Sequence, residues 1–262
     1  MEFKETRPLY RFAEIVAALR AENGCPWDRK QTHKSLKPFL IEETYEAIDA
    51  IESGDALHIK EELGDILLQI YLHAEIAREQ DRFAIDDVAR SIIDKIILRH
   101  PHVFGSDRVG DADQVVERWE EIKKKEKPHR ESILDGVPKH LPALLKAYRI
   151  QQKVSRVGFD WERISDVAAK LDEEVGEFKK ALSSDDAERI ADEAGDILFS
   201  IANLLRFIQI NPEEALDRTI KKFTARFQYI EKRAGEMNKS LKNMTIDEME
   251  RFWQESKVRE TF

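Results

Sequence analysis

Four carboxylates are written twice in this chain with the same internal spacing. Glu43, Glu46, Glu62 and Asp65 recur as Glu174, Glu177, Glu193 and Asp196, each 131 positions further on. The flanking words repeat as well. Glu42-Glu43-Thr44-Tyr45-Glu46 answers to Glu173-Glu174-Val175-Gly176-Glu177, and Glu61-Glu62-Leu63-Gly64-Asp65 to Asp192-Glu193-Ala194-Gly195-Asp196. A repeat of this length marks two copies of one structural unit. Because its letters are acids and not core residues, the unit is expected to hold a cation.

The spacing of apolar residues predicts helices throughout and no strands. The first runs over 9–22 (Leu9, Phe12, Ile15, Val16, Leu19) and stops at Asn23-Gly24-Cys25-Pro26. Helices at 36–53, 57–80 and 85–99 follow, the last ended by Pro101, and a shorter one at 113–126 carries Trp119. The second copy predicts helices near 141–156, 163–183, 186–209, 213–237 and 245–258. Between the copies, Lys127-Pro128 to Gly136-Val137-Pro138 is polar and aperiodic. The expected organisation is an all-α chain with a first module at 1–126, a linker at 127–139 and a second module at 140–262.

On a helical wheel, Leu36, Phe39, Leu40, Ala47 and Ile51 form an apolar stripe that includes Glu43 and has Glu46 at its edge. On the next helix, Glu62 and Asp65 lie along the margin of Ile59, Ile66, Ile70 and His73. In the second copy, Ile190, Ile197, Ile201 and Leu204 run beside Glu193 and Asp196. The turn between the two helices is short, so they pack antiparallel and bring carboxylates from both to one partly dry spot. Anions gathered there repel and are costly to desolvate without a counterion. All-oxygen ligation suits a hard divalent cation such as Mg²⁺. A lone Glu-Glu-x-x-Glu on a charged helix is usually a solvated face; the doubled conjunction is what carries the metal reading. Di-iron bundles use Glu-x-x-His, and Asp65 and Asp196 stand where histidine is needed.

A formal charge of −9 argues against a nucleic-acid polymer as partner but leaves room for a phosphorylated small molecule beside a metal. The single cysteine, Cys25, cannot form an internal disulfide. No apolar run is long enough to cross a bilayer and no leader is visible, so a cytoplasmic protein without membrane attachment is expected.

Several words in this chain resemble those of the MazG nucleoside triphosphate pyrophosphohydrolases. They are Cys25-Pro26-Trp27-Asp28, Thr32-His33, Ser35-Leu36, the paired Glu-Glu-x-x-Glu and Glu-x-x-Asp, Arg99-His100-Pro101-His102-Val103-Phe104, and Trp119-Glu120 to Lys127. The similarity extends to the tandem arrangement. It implies the all-α NTP pyrophosphatase fold, a bundle completed by homodimerisation, and dependence on Mg²⁺, for which Mn²⁺ is a chemical substitute. It also implies hydrolysis of NTP or dNTP to monophosphate and pyrophosphate with broad base tolerance, the second module being the expected catalyst.

Lys95 and Arg99 sit four apart on one helical face, as do Lys222 and Arg226, placed to meet β- and γ-phosphates. Lys170 and Arg189, each one turn before an acid, are further phosphate-binding candidates. The resemblance makes Trp253 a base or sugar contact in the second module and Trp27 its analogue in the first; aromatic stacking tolerates any base. It also predicts an Asn-x-Lys-Phe-x-Arg-Arg-Phe-like word, where this chain has Ile220 and Ala225 in place of Asn and the first Arg. In the expected reaction, Glu174, Glu177, Glu193 and Asp196 hold the metal and Glu173 orients the attacking water. Glu43, Glu46, Glu62 and Asp65, with Glu42, do the same in the first module. The alternatives are a regulatory or scaffold protein that binds metal–nucleotide without cleaving it, and a purely structural helical dimer.

Overall fold

Local chemistry sets where the helices begin and end. In the computed structural model, residues 7–106, 108, 110–111, 114–115, 118–119, 122 and 132–259 are described. The chain divides into two compact units, Met1–Pro128 and His129–Phe262. The first contains α1 (Pro8–Arg20), α2 (Lys37–Ser53), α3 (Ala56–Arg78), α4 (Ile85–Arg99) and the single turn α5 (Pro101–Phe104). The second contains α6 (Ala143–Ser155), α7 (Ile164–Ala181), α8 (Ala187–Phe207), α9 (Pro212–Glu236) and α10 (Ile246–Arg259). No strand occurs among the described residues. Most of the helix expected at 113–126 lies outside them, as do residues 127–131 of the expected linker. Residues 133–136 form a turn, and Lys153 of α6 donates to the Ile133 carbonyl at 3.0 Å.

Gly54 ends α2 in the left-handed region at φ 71°, a conformation glycine adopts without a Cβ clash. Asp55 then caps α3, its carboxylate accepting from the backbone N–H groups of Leu57 and His58. Asp186 caps α8 by accepting from Arg189 N–H, and Asn211 caps α9 by accepting from Glu213 N–H. With only Gly54 and Asp55 between them, α2 and α3 must lie antiparallel.

In the first unit, Val16, Leu36, Tyr71, Leu72 and Ile76 form the buried centre. Leu36 reaches it from a turn built by reciprocal bonds, Thr32 N–H to Ser35 Oγ and Ser35 N–H to Thr32 Oγ1. Arg20, its side chain only 4% exposed, pairs with Glu79 at 2.7 Å and donates to the Asp28 and Gln31 carbonyls. That guanidinium fixes the Cys25-Pro26-Trp27-Asp28 turn against α1. In the second unit, Arg206 of α8 does comparable work by pairing with Asp160, beside Gly158 at φ 86°. Ile230, Ala234, Met244 and the fully buried Phe252 lock α10 onto α9.

The stripe expected on α2 is shifted. Leu36 and Ala47 are buried as expected, but Ile51 is 58% exposed while Ala50 is fully buried. The buried face of α2 thus runs through Ala47 and Ala50, leaving Ile51 at its solvent edge.

Candidate active site

The antiparallel pairs α2–α3 and α7–α8 each gather three carboxylates. Glu43, Glu62 and Asp65 each offer an oxygen lying within 4.8 Å of the others, and so do Glu174, Glu177 and Glu193. The two sets are not the same three positions of the repeat. Glu46, exposed, is outside the first set; Asp196, also exposed, is outside the second. The most buried acid also changes helix: Glu62, 8% exposed, on α3 and Glu174, 6% exposed, on α7.

A nearly buried carboxylate needs a partner. Glu62 has His58 Nε2 at 3.1 Å, and Glu174 has Lys170 Nζ at 2.8 Å. Lys170 also reaches the exposed Glu173 at 2.8 Å, and Arg189 Nε lies 3.8 Å from Glu193. These hydrogen bonds, to Glu173 first and then Glu174, push the Lys170 pKa upward. In the first unit, burial raises the Glu43 pKa, and the negative charges of Asp65, Glu46, Glu62 and Glu42 push it further. Glu42 itself is exposed. A cluster of oxygen donors with mutual repulsion, partly out of water, fits a hard divalent cation.

The basic helices repeat too. Lys95 and Lys222 are exposed, while Arg99 and Arg226 are half-buried one turn later. Arg99 Cζ lies 5.6 Å from the Trp119 ring centre and Arg226 Cζ 5.4 Å from that of Trp253, distances at which a guanidinium is held by an aromatic face. The offset in this helix is 127 rather than 131, as the caps Ala84 and Asn211 also show. Phe223 adds a ring 5.2 Å from Trp253. Trp27 is exposed and meets Phe39 edge-on at 5.7 Å.

The sequence marks Lys170 and Arg189 as phosphate-binding candidates, but 131 positions earlier it marks Phe39 only as part of an apolar stripe and leaves His58 unmarked. The repeat offset was the available signal. Arg–Trp pairing was missed because the partners lie on different helices, and no spacing rule links them.

The MazG nucleotide pyrophosphohydrolase domain matches the chain twice, over residues 31–104 and 163–230. Each match spans one acidic helix pair and the start of the basic helix or more. The chain belongs to the MazG family. It is therefore a hydrolase. The nucleoside triphosphate pyrophosphohydrolase/pyrophosphatase MazG of Thermotoga maritima is 45% identical over 244 residues, 93% of each chain. The nucleoside triphosphate pyrophosphohydrolase of Escherichia coli K12 is 37% identical over 255 residues, covering 95% of this chain and 97% of that one. Protein YabN of Bacillus subtilis is 48% identical over 263 residues, 98% of this chain and 54% of YabN. Both MazG modules thus carry an acidic trio, a basic pair and a tryptophan against the arginine.

Proposed function

We propose that this MazG chain hydrolyses nucleoside and deoxynucleoside triphosphates to the monophosphate and pyrophosphate, with a divalent cation and little discrimination among bases. The observation that carries this reading is the meeting of three carboxylate oxygens within 4.8 Å in each unit of a family member. Glu174, Glu177 and Glu193, with Asp196 close by in sequence, would hold Mg²⁺, or Mn²⁺ in its place. Glu43, Glu62 and Asp65, with Glu46, would do so in the first unit. When bound, the ion polarises the triphosphate and neutralises its charge. Lys222 and Arg226, assisted by Lys170 and Arg189, receive the phosphates; Lys95 and Arg99 are their first-unit counterparts. Trp253 and Trp27 offer flat surfaces to the base, which suits broad use.

Glu173 and Glu42 are exposed and outside the trios, so they are the residues to orient water. The water oxygen attacks the α-phosphorus in line, the bond from that phosphorus to the β-bridging oxygen breaks, and the carboxylate accepts the proton. The second module is the proposed catalyst, because its phosphate-side cations are the more numerous. The chain acts as a homodimer in a reducing, cytoplasmic setting, consistent with a lone unpaired cysteine. Among the described residues, no helix is long and apolar enough to cross a membrane.

Pyrophosphate release from several NTPs with Mg²⁺ tests the activity, and Glu193→Ala and Glu62→Ala assayed separately test its location. Glu193→Ala is expected to lower kcat by roughly 100-fold or more, with Glu62→Ala keeping most turnover. Binding of metal–nucleotide without any pyrophosphate would favour a regulatory protein instead.

A further inference from the structure

Lys170 occupies a place that the repeat fills differently in the two modules. Its ammonium lies 2.8 Å from Glu174, a member of the second trio, and 2.8 Å from Glu173. One repeat earlier stands Phe39, whose ring packs edge-on against Trp27. The two helix pairs share this register: the helix caps Asp55 and Asp186 and the buried alanines Ala50 and Ala181 keep the same offset. On the second helix of each pair, Arg189 beside Glu193 has His58 as its counterpart.

We propose that Lys170 is a built-in counterion that makes cation loading of the second module conditional on nucleotide, while the first module takes up a divalent cation unaided. This rests on the acidic trios being metal sites, as proposed above. A divalent ion entering the second trio competes with an ammonium already bonded to Glu174. Displaced alone, Lys170 loses charged partners next to a newly arrived cation; displaced in the presence of a triphosphate, it finds phosphate oxygens. Metal and nucleotide therefore raise each other's affinity there by the same factor, as linkage requires. Phe39 brings no charge to the first trio, whose nearest partner is the His58 imidazole at 3.1 Å from Glu62, so an incoming ion has no ammonium to displace there and relieves the repulsion among the carboxylates directly.

Free Mn²⁺, measured by electron paramagnetic resonance during titration of the full chain, tests this without any turnover. The native chain is expected to show one tight site without nucleotide, abolished by Glu62→Ala. A second site should tighten at least roughly 10-fold when a non-hydrolysable NTP analogue is added, and Glu193→Ala should remove it. Lys170→Met should tighten that second site about 10-fold without nucleotide and shrink the nucleotide's effect. Phe39→Lys should weaken the first, provided its helical circular dichroism matches the native chain. Two equal sites in the nucleotide-free native chain, or a Lys170→Met titration identical to native, would overturn the proposal. No Mn²⁺ uptake even with nucleotide would instead sink the metal reading beneath it.

Discussion

Glu43 sits within a carboxylate cluster without a lysine at the Phe39 position, and burial and its acidic neighbours raise its pKa. An acid whose folded pKa lies above its unfolded value favours the folded state only while protonated. Stability contributed by that group is therefore lost as pH rises from about 4.5 through the raised value. At pH 7 without divalent ions, Glu43→Gln is expected to raise the melting temperature slightly, by about 1 °C, since solvent screens much of the repulsion. With saturating Mg²⁺ the gain should vanish, because the ligand that stabilised the native chain is lost. Thermal denaturation with and without EDTA measures both arms. The acids themselves were legible in the letters as a repeated quartet. Which three of each quartet meet was not: Glu46 in the first unit and Asp196 in the second are exposed, and that depends on packing that no wheel resolves.

Elements were more legible than residues. Caps and breakers are local, and the helix ends expected at 53, 57, 186 and 213 fall within about one residue of the observed ones, where Gly54, Asp55, Asp186 and Asn211 stand as caps. Long-range clasps left no such mark. His33, in the turn before α2, and His73, on α3, bring their Nδ1 atoms to 2.8 Å with rings stacked at 4°. Burial first and His33 second lower the His73 pKa, and its Nε2 is buried with no hydrogen-bond partner among the described residues. The folded chain thus resists protonation at a site that the unfolded chain protonates below about 6.5. Stability of this unit should fall as pH drops from that value through the lowered folded-state value. The counterparts of His33 and His73 in the second copy are Ile164 and Leu204, which cannot titrate. His73→Leu is accordingly expected to flatten the pH dependence of denaturant midpoints over this range. An unchanged slope would show that other groups set it.

Across the whole molecule, each unit leaves apolar helix surface uncovered. On α4, Ile92, Ile93, Ile96 and Ile97 are between 43% and 52% exposed, and on α9 Leu216, Ile220 and Phe223 are exposed too. Contiguous apolar surface of this kind marks an interaction face, and a second copy of the chain is the occupant in the proposed homodimer. Replacing Ile92 and Ile96 together by lysine should shift sedimentation from dimer to monomer, and a native chain already monomeric at micromolar concentration would refute the assembly. At this scale the sequence carried the helical class, the tandem duplication and the acidic signature, because periodicity, capping and repetition depend on neighbours along the chain. Packing alone settled that Glu62 is the sheltered acid in one module and Glu174 in the other, and that Arg99 and Arg226 each lie against a distant tryptophan. Burial and pairing follow from the approach and rotation of helices far apart in sequence, and identical motifs place their side chains differently once the surrounding residues differ in size and charge.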